Sequence, residues 1–193
     1  MYKLYWDVGK ASLAPHALLE EIGVPYELVR IDTDKGEQHQ PWYLKINPNA
    51  RVPTLDHDGR IFSETAAIML YLADLHPDAK LAPLLGDPSR AIYLQWMVYL
   101  TNTAQEALMC WFHANYYAPD VSSQAAVKEM SLRRIDAIFQ KVNGVLSPYL
   151  LAHQFTAADL FLVMLCRWAR NLERPAWKRM MLAERITWAS NTI

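Results

Sequence analysis

The chain has 193 residues, of which 52% are hydrophobic and 20% are charged, and its formal net charge is −1 at pH 7. This composition is typical of a globular protein with one large or two small domains, and the near-neutral charge argues against general binding to nucleic acid. The two cysteines, Cys110 and Cys166, lie in apolar segments, so we do not expect a disulfide framework. Because the sequence has no long apolar run and its first residues do not form a secretory signal, we expect a cytoplasmic protein that does not span a membrane.

Strand and helix patterns alternate over the first 76 residues. Apolar residues at alternate positions predict strands, and apolar residues three and four apart predict helices. The predicted elements, in chain order, are a strand over 2–6, a helix over 13–22, a strand over 26–31, a short helix around 42–46, a hairpin with strands at 54–56 and 60–62, and a helix from Thr65. The predicted order is therefore βαβαββα.

A proline-rich segment, 77–88, separates this region from the rest of the chain and predicts a linker. After it the strand patterns stop, and only helical patterns follow. The predicted helices run from Ser89 to about Tyr117, from Ser123 to Leu146, from Thr156 to Arg170, and from about Trp177 to Ser190. We therefore expect an α/β domain over 1–76 and an all-α domain over 89–193.

The segment around Thr156 has the pattern of a helix start. Thr156 followed three residues later by Asp159 predicts a capping box, and Phe155 can pack on Leu160. Its role is to fold the helical domain rather than to carry chemistry.

The loop that ends in Val52–Pro53 has the pattern of a peptide-binding segment. Pro53 precedes a short strand, where no donor to the sheet is needed. If the Val52–Pro53 peptide bond is cis, the main-chain N–H and C=O of Val52 turn away from the sheet. They can then pair with an extended peptide.

Glu64 and Thr65 follow this loop at the start of a helix. With the Val-Pro loop, in this order and spacing, they resemble the ligand site of the glutathione transferase family, which implies a thioredoxin-like first domain. The resemblance also implies that glutathione binds at Val52–Pro53, that Thr65 holds its γ-glutamyl carboxylate and that Glu64 pairs with its ammonium. A helix start favours a carboxylate because its N–H groups lack partners.

Residues 9–16 are similar to the front loop of the bacterial beta-type glutathione transferases, in which a cysteine precedes a serine. Here the cysteine position is Ala11, so the resemblance assigns stabilisation of the glutathione thiolate to Ser12. A thiol with a pKa of about 8.5 is only a few per cent ionised at neutral pH, so such stabilisation is needed. Tyr5 and Trp6 are the other candidates, and a plain helix cap is the alternative role for Ser12.

Lys35 occupies the place where beta-type relatives use a lysine to bind the glycyl carboxylate of glutathione; a solvated loop lysine is the alternative. For the electrophile, the resemblance implies a pocket that the helical domain contributes to. Trp6, Tyr99, Glu106 and His113 are its predicted lining residues.

The resemblance as a whole implies a glutathione transferase that attaches the glutathione thiolate to a small apolar electrophile in detoxification. Glutathione would act as a substrate, no metal would be needed, and the protein would form a homodimer. Two alternatives stay open at this point. One is a glutathione-dependent reductase of peroxides or disulfides, and the other is a glutathione-binding protein without catalysis.

Overall fold

The computed structural model describes residues 1–172, and the helix predicted near 177–190 lies outside them. The chain divides into two compact units, one from Met1 to Asp87 and the other from Pro88 onward. The segment predicted as a linker belongs to the first unit as far as Asp87, and Leu81 and Ala82 in it are buried.

A four-stranded sheet forms the centre of the first unit. Its strands are β1 (Tyr2–Trp6), β2 (Tyr26–Arg30), β3 (Thr54–His57) and β4 (Arg60–Ser63), and their order in the sheet is β2-β1-β3-β4. β1 is parallel to β2 and antiparallel to β3, and β4 is antiparallel to β3. The helices of this unit are α1 (Leu13–Ile22), the short α2 (Pro41–Leu44) and α3 (Thr65–Leu75). The predicted order βαβαββα is confirmed.

β1 lies inside the sheet and is packed on both faces. Leu4 is fully buried and pairs with Leu55 of β3, which is also fully buried. Tyr5 points to the opposite face, where it packs with Ile31 and Tyr43. Because both faces are covered, the end of β1 is a fixed point from which the next loop starts.

The described part of the second unit is helical. Its helices are α4 (Ser89–Tyr99), α5 (Glu106–Phe112), α6 (Val121–Val145) and α7 (Ala157–Ala169). The all-helical character of this region is as predicted, but several bounds differ from the prediction.

The first predicted helix, Ser89 to about Tyr117, is interrupted. A π-helical turn, Leu100–Gln105, joins α4 to α5, and α5 ends at Phe112. In that turn the Thr101 hydroxyl donates to the Met97 carbonyl at 3.1 Å, a side-chain bond that competes with the regular main-chain ladder.

The start of α6 also differs from the prediction at Ser123. Asp120 caps this helix, because its carboxylate accepts the main-chain N–H of Ser123 at 2.9 Å. The helix therefore begins at Val121, two positions before the predicted start.

The predicted capping box at the start of α7 is present. The Asp159 carboxylate accepts the N–H of Thr156 at 2.8 Å and the N–H of Leu150 at 2.9 Å. Thr156 is fully buried, and burial raises the pKa of Asp159. The box therefore fixes both the helix start and the loop that precedes it.

We expect Thr156→Val, which keeps the shape of the side chain but removes its hydroxyl, to lower the free energy of unfolding by about 1–2 kcal/mol. Urea denaturation followed by circular dichroism measures this change. Thr101→Val is the control, because its hydroxyl donates only to the preceding helical turn and its loss should cost less than about 0.5 kcal/mol. Equal losses in the two variants would contradict the role of the box.

Candidate functional site

Four segments with predicted site residues meet at one edge of the sheet. β1, β2 and β4 run in the same direction and β3 runs in the opposite one. The segments that follow β1, β2 and β4, and the segment that precedes β3, therefore lie at the same edge. This topology brings together Ser12, Lys35, Val52–Pro53 and Glu64–Thr65, which are up to 53 positions apart in the chain.

The starts of α1 and α3 touch at this edge. The Thr65 hydroxyl donates to the Ala11 carbonyl oxygen at 3.5 Å, and Thr65 is only 5% exposed. Helix starts carry main-chain N–H groups without partners inside the helix, together with partial positive charge. The edge thus offers two neighbouring places for a negative group.

Glu64 precedes α3 in a strained main-chain conformation. Its φ of 76° and ψ of 114° lie in a region that residues with a Cβ seldom adopt, at a cost of about 1–3 kcal/mol. Its carbonyl accepts the N–H of Ile68 at 2.9 Å, whereas its side chain is exposed. The strain therefore leaves a carboxylate open to solvent beside the start of α3.

A buried hydrogen-bond network fixes the loop that contains Val52–Pro53. The Tyr43 hydroxyl donates to the Arg51 carbonyl at 2.7 Å and lies 2.9 Å from the Thr54 hydroxyl. The Asn47 amide donates to the same two oxygen atoms, each at 2.9 Å. The main chain is thus held immediately before and immediately after Val52–Pro53.

The Val52–Pro53 peptide bond is cis. The side chain of Val52 packs against the buried cluster of Tyr5, Ile31 and Tyr43. Outside the strand ladders, the main chain of Val52 makes no hydrogen bond to any residue within 1–172. Its role as a main-chain contact for a peptide stays a prediction.

Ser12 lies at the start of α1 and is 1% exposed. Its hydroxyl donates to the Asp7 carbonyl and accepts the Asp7 main-chain N–H, both at 3.1 Å. Ser12 occupies the N-cap position of α1, as the alternative role expects, and its carbonyl accepts the His16 N–H at 3.1 Å, but its side chain makes no capping hydrogen bond. The hydroxyl instead ties the start of α1 to the end of β1.

The two other candidates for the thiolate contact occupy different surroundings. Tyr5 is 7% exposed and packs in the cluster on the far face of β1, so its hydroxyl is not at the start of α1. Trp6 is partly exposed, and its ring lies 5.9 Å from that of His16 in α1. Of these two, only Trp6 lies beside α1.

Lys35 ends a short 3-10 turn, Thr33–Lys35, that follows β2. Its side chain is 78% exposed, and its ammonium lies 2.8 Å from the Asp32 carboxylate. This hydrogen bond raises the pKa of Lys35. The turn therefore presents a positive charge at the edge of the sheet.

Asp7 was not among the predicted site residues, yet its buried carboxylate connects two of the segments, the one after β1 and the one after β2. It accepts hydrogen bonds from the N–H of Val8 at 2.8 Å, from Nε of Arg30 at 3.1 Å, and from the N–H and hydroxyl of Thr33 at 3.0 and 2.5 Å. Burial opposes its charge, but these hydrogen bonds outweigh burial and lower the pKa of Asp7 to about 2. Its partners Arg30 and Thr33 are remote in the sequence, so no local pattern identifies it.

The predicted electrophile residues of the second unit contact groups of that unit. The Lys141 ammonium lies 4.5 Å from the centre of the Tyr99 ring, and the Glu106 carboxylate lies 2.6 Å from the Arg134 guanidinium. Glu106 also accepts the thiol hydrogen of Cys110 at 2.8 Å. These contacts bind one side of α4 and α5 to the rest of the unit.

His113, the last predicted residue of this set, follows the end of α5. Its ring stacks on that of Tyr116, with 5.0 Å between centres.

Within residues 1–172, no three His, Cys, Asp or Glu side chains are placed to hold a metal ion. The same residues include no helix long and apolar enough to cross a membrane.

Residues 2–74 match the profile of the glutathione S-transferase N-terminal domain. Over 174 residues the chain is 32% identical to glutathione S-transferase GstA of Escherichia coli O157:H7, and the alignment covers 86% of this chain and 82% of that protein. The chain belongs to the glutathione S-transferase family. The resemblance noted in the front loop and at the start of α3 is thereby confirmed at the level of the family.

Solved glutathione transferase structures are also similar to the chain. A glutathione transferase homologue from Sulfitobacter with bound glutathione has a TM-score of 0.89 and 30% identity, over 99% of this chain and 93% of that one. A sphingomonad glutathione S-transferase in complex with glutathione has a TM-score of 0.80 and 26% identity, over 98% and 92%. The thioredoxin-like first unit and the helical second unit are those of the family.

We expect the Asp7 carboxylate to make the stability of this glutathione transferase sensitive to acid. Its folded pKa of about 2 lies below the ordinary value of 3.8, so its contribution is fully present above the ordinary value and is lost as the pH falls toward 2. The difference corresponds to about 2 kcal/mol. Asp7→Asn should therefore lower the free energy of unfolding by about this amount at neutral pH, and by about half of it near pH 3.

Urea denaturation across pH measures this difference between wild type and variant. Asp34→Asn is the control, because the Asp34 carboxylate is 87% exposed and pairs only weakly with Lys10 at 3.4 Å. A deficit of Asp7→Asn that is the same at low and neutral pH would contradict the assignment.

Proposed function

We propose that the protein transfers the thiolate of glutathione to a small apolar electrophile. The observation that supports this most is the meeting of two helix starts, one exposed carboxylate and one lysine at a single edge of the sheet. These are the groups that the two charged ends and the thiol of the tripeptide require. Bound glutathione in two similar structures supports the choice of ligand.

The γ-glutamyl end of glutathione would bind at the start of α3. Its carboxylate would accept a hydrogen bond from the N–H of Thr65, and a second one from the Thr65 hydroxyl in place of the 3.5 Å bond to the Ala11 carbonyl. The partial charge of the helix favours this binding. The exposed carboxylate of Glu64 would pair with the neighbouring ammonium. The strained backbone of Glu64 supports this role, because such strain is concentrated at ligand sites.

The middle and the glycyl end would bind along the opposite side of the edge. The main chain of Val52, held next to Pro53 by the Tyr43 and Asn47 network, would pair with the peptide backbone. The exposed ammonium of Lys35 would meet the glycyl carboxylate. The Lys35 ammonium already contacts the Asp32 carboxylate, so it would contact both that carboxylate and the glycyl carboxylate of the ligand.

The thiolate would lie at the start of α1, beside Ser12. The Ser12 hydroxyl now donates to the Asp7 carbonyl, so it would have to rotate toward the sulfur while still accepting the Asp7 N–H. A hydrogen bond to a charged group is stronger than one to a neutral carbonyl, which favours the exchange. The partial positive charge of the helix start adds to the stabilisation.

For the electrophile, we propose Tyr99, Glu106 and His113 of the second unit as contacts, and the role of Trp6 in the first unit stays a prediction. Glu106 would act through its pair with Arg134 rather than as a free carboxylate.

We further propose that the protein is a cytoplasmic homodimer that serves in detoxification, as the family resemblance implies. The reductase alternative is not favoured, since Ala11 stands at the cysteine position and both described thiols are buried in the second unit. The non-catalytic binder is not favoured either, since the similar curated proteins are named glutathione S-transferases.

We expect Glu64→Gln to weaken glutathione binding about tenfold while changing kcat little, because the ammonium loses its charged partner but the side chain keeps its shape. Isothermal titration calorimetry and steady-state kinetics separate the two effects. Glu21→Gln is the control, since Glu21 is an exposed carboxylate on α1. Equal dissociation constants for wild type and Glu64→Gln would remove Glu64 from the site.

We expect Ser12→Ala to lower kcat at least about tenfold and to change the affinity for glutathione less, because the lost bond is made to the thiolate. Ser131→Ala is the matched control. Its hydroxyl is also buried and donates to a carbonyl, that of Val127 at 2.7 Å, but it belongs to α6. Unchanged kcat in Ser12→Ala would rule out the assignment and leave the helix start as the source of stabilisation.

A further inference from the structure

The carboxylate of Asp7 is saturated with hydrogen bonds in a buried position. Asp7 is 3% exposed, and each carboxylate oxygen accepts two donors: Val8 and Arg30 at Oδ1, and two groups of Thr33 at Oδ2. A buried charge is costly unless its hydrogen bonds are complete, so such a group tolerates little displacement of its partners. Asp7 therefore fixes the position of Thr33 relative to the end of β1.

Thr33 is the first residue of the turn that ends at Lys35. Inside this turn, the Asp32 carboxylate accepts the N–H of Lys35 at 3.2 Å and pairs with its ammonium at 2.8 Å. The Asp32 N–H in turn donates to the Glu37 carboxylate at 2.7 Å. The turn is thus braced internally, and the two bonds from Thr33 to Asp7 attach it to the central strand.

The main chain of Asp7 holds the other end of the site. Its N–H and C=O both pair with the Ser12 hydroxyl at 3.1 Å. One residue thereby sets the positions of Ser12 and of the Lys35 turn. In the proposed function, these two face the thiol and the glycyl carboxylate of the same glutathione molecule.

We propose that Asp7 is a positioning residue of the glutathione site, which holds the Lys35 turn at a fixed place relative to Ser12 so that the glycyl carboxylate is recognised. Asp7 itself does not touch the ligand. In Asp7→Asn the amide NH2 faces Thr33, so the N–H of Thr33 loses its acceptor, and the hydroxyl of Thr33 has to accept a hydrogen bond instead of donating one. The attachment of the turn is therefore weakened even though the shape of the side chain is kept.

Recognition of the glycyl carboxylate can be measured as a ratio. The ratio compares the dissociation constant of glutathione esterified at the glycyl carboxylate with that of glutathione, both by titration calorimetry on the full chain. We expect wild type to prefer glutathione about tenfold, and Lys35→Ala to lose this preference, since the ester cannot form the charged hydrogen bond. This inference rests on the proposed function, so these two proteins test Lys35 first.

We expect Asp7→Asn to lower this ratio of dissociation constants toward one. The double variant, which combines Asp7→Asn with Lys35→Ala, should lower the ratio no further than either single change does. Thr33→Val and Thr33→Ser form a matched pair that leaves Asp7 intact. The valine variant removes the hydroxyl bond to Asp7 and should lower the ratio, whereas the serine variant keeps this bond and should retain it. Glu21→Gln, which changes an exposed carboxylate on α1 outside this network, is the control and should also retain the ratio.

The outcomes separate the two claims. If wild type binds glutathione but does not prefer it over the ester, the assignment of Lys35 is wrong and the inference falls with it. If wild type and Lys35→Ala differ as expected but Asp7→Asn and Thr33→Val keep the wild-type ratio, the positioning role of Asp7 is overturned while the proposed function stands. Should Asp7→Asn fail to fold, the Thr33 pair decides the question by itself.

Discussion

The proposed glutathione site depends on hydrogen bonds that hold loops against one edge of a sheet. Its proposed ligand contacts lie on turns or at helix starts, which are otherwise the more mobile parts of a domain. Two buried polar side chains provide the constraint: Asp7 attaches the turn after β2, and Asn47 secures the loop before β3. Because unpaired buried groups are costly, each such network is stable in one arrangement and fixes its loop accordingly.

The alanine at position 11 limits the chemistry that this edge can support. A cysteine there could form a mixed disulfide with glutathione, whereas an alanine has no group to exchange. In the proposed function the sulfur of glutathione is the nucleophile, so the protein would have to favour its ionised form. The neighbouring starts of α1 and α3 suit this task, because both concentrate partial positive charge at the same place and Thr65 joins them through the Ala11 carbonyl.

Local patterns in the sequence were sufficient for the order of elements in the first unit. Leu13–Ile22 repeats with a helical period and ends at Gly23, which adopts the left-handed conformation that closes such a helix, and the predicted bounds match those observed. The α4–α5 break escaped prediction because the apolar period that predicts a helix does not distinguish a π-helical turn from a regular one. Asp7 escaped it because its partners Arg30 and Thr33 become neighbours only when β1 and β2 pair.

The central claim is that this protein binds glutathione and lowers the pKa of its thiol. The direct test is a pH titration of the ultraviolet absorbance of the thiolate, with glutathione bound to the purified protein and free glutathione as the reference. We predict a pKa that falls from the ordinary value of about 8.5 to about 6.5, which makes the bound thiol mostly ionised at neutral pH. Glutathione that binds with an unchanged thiol pKa would contradict the claim.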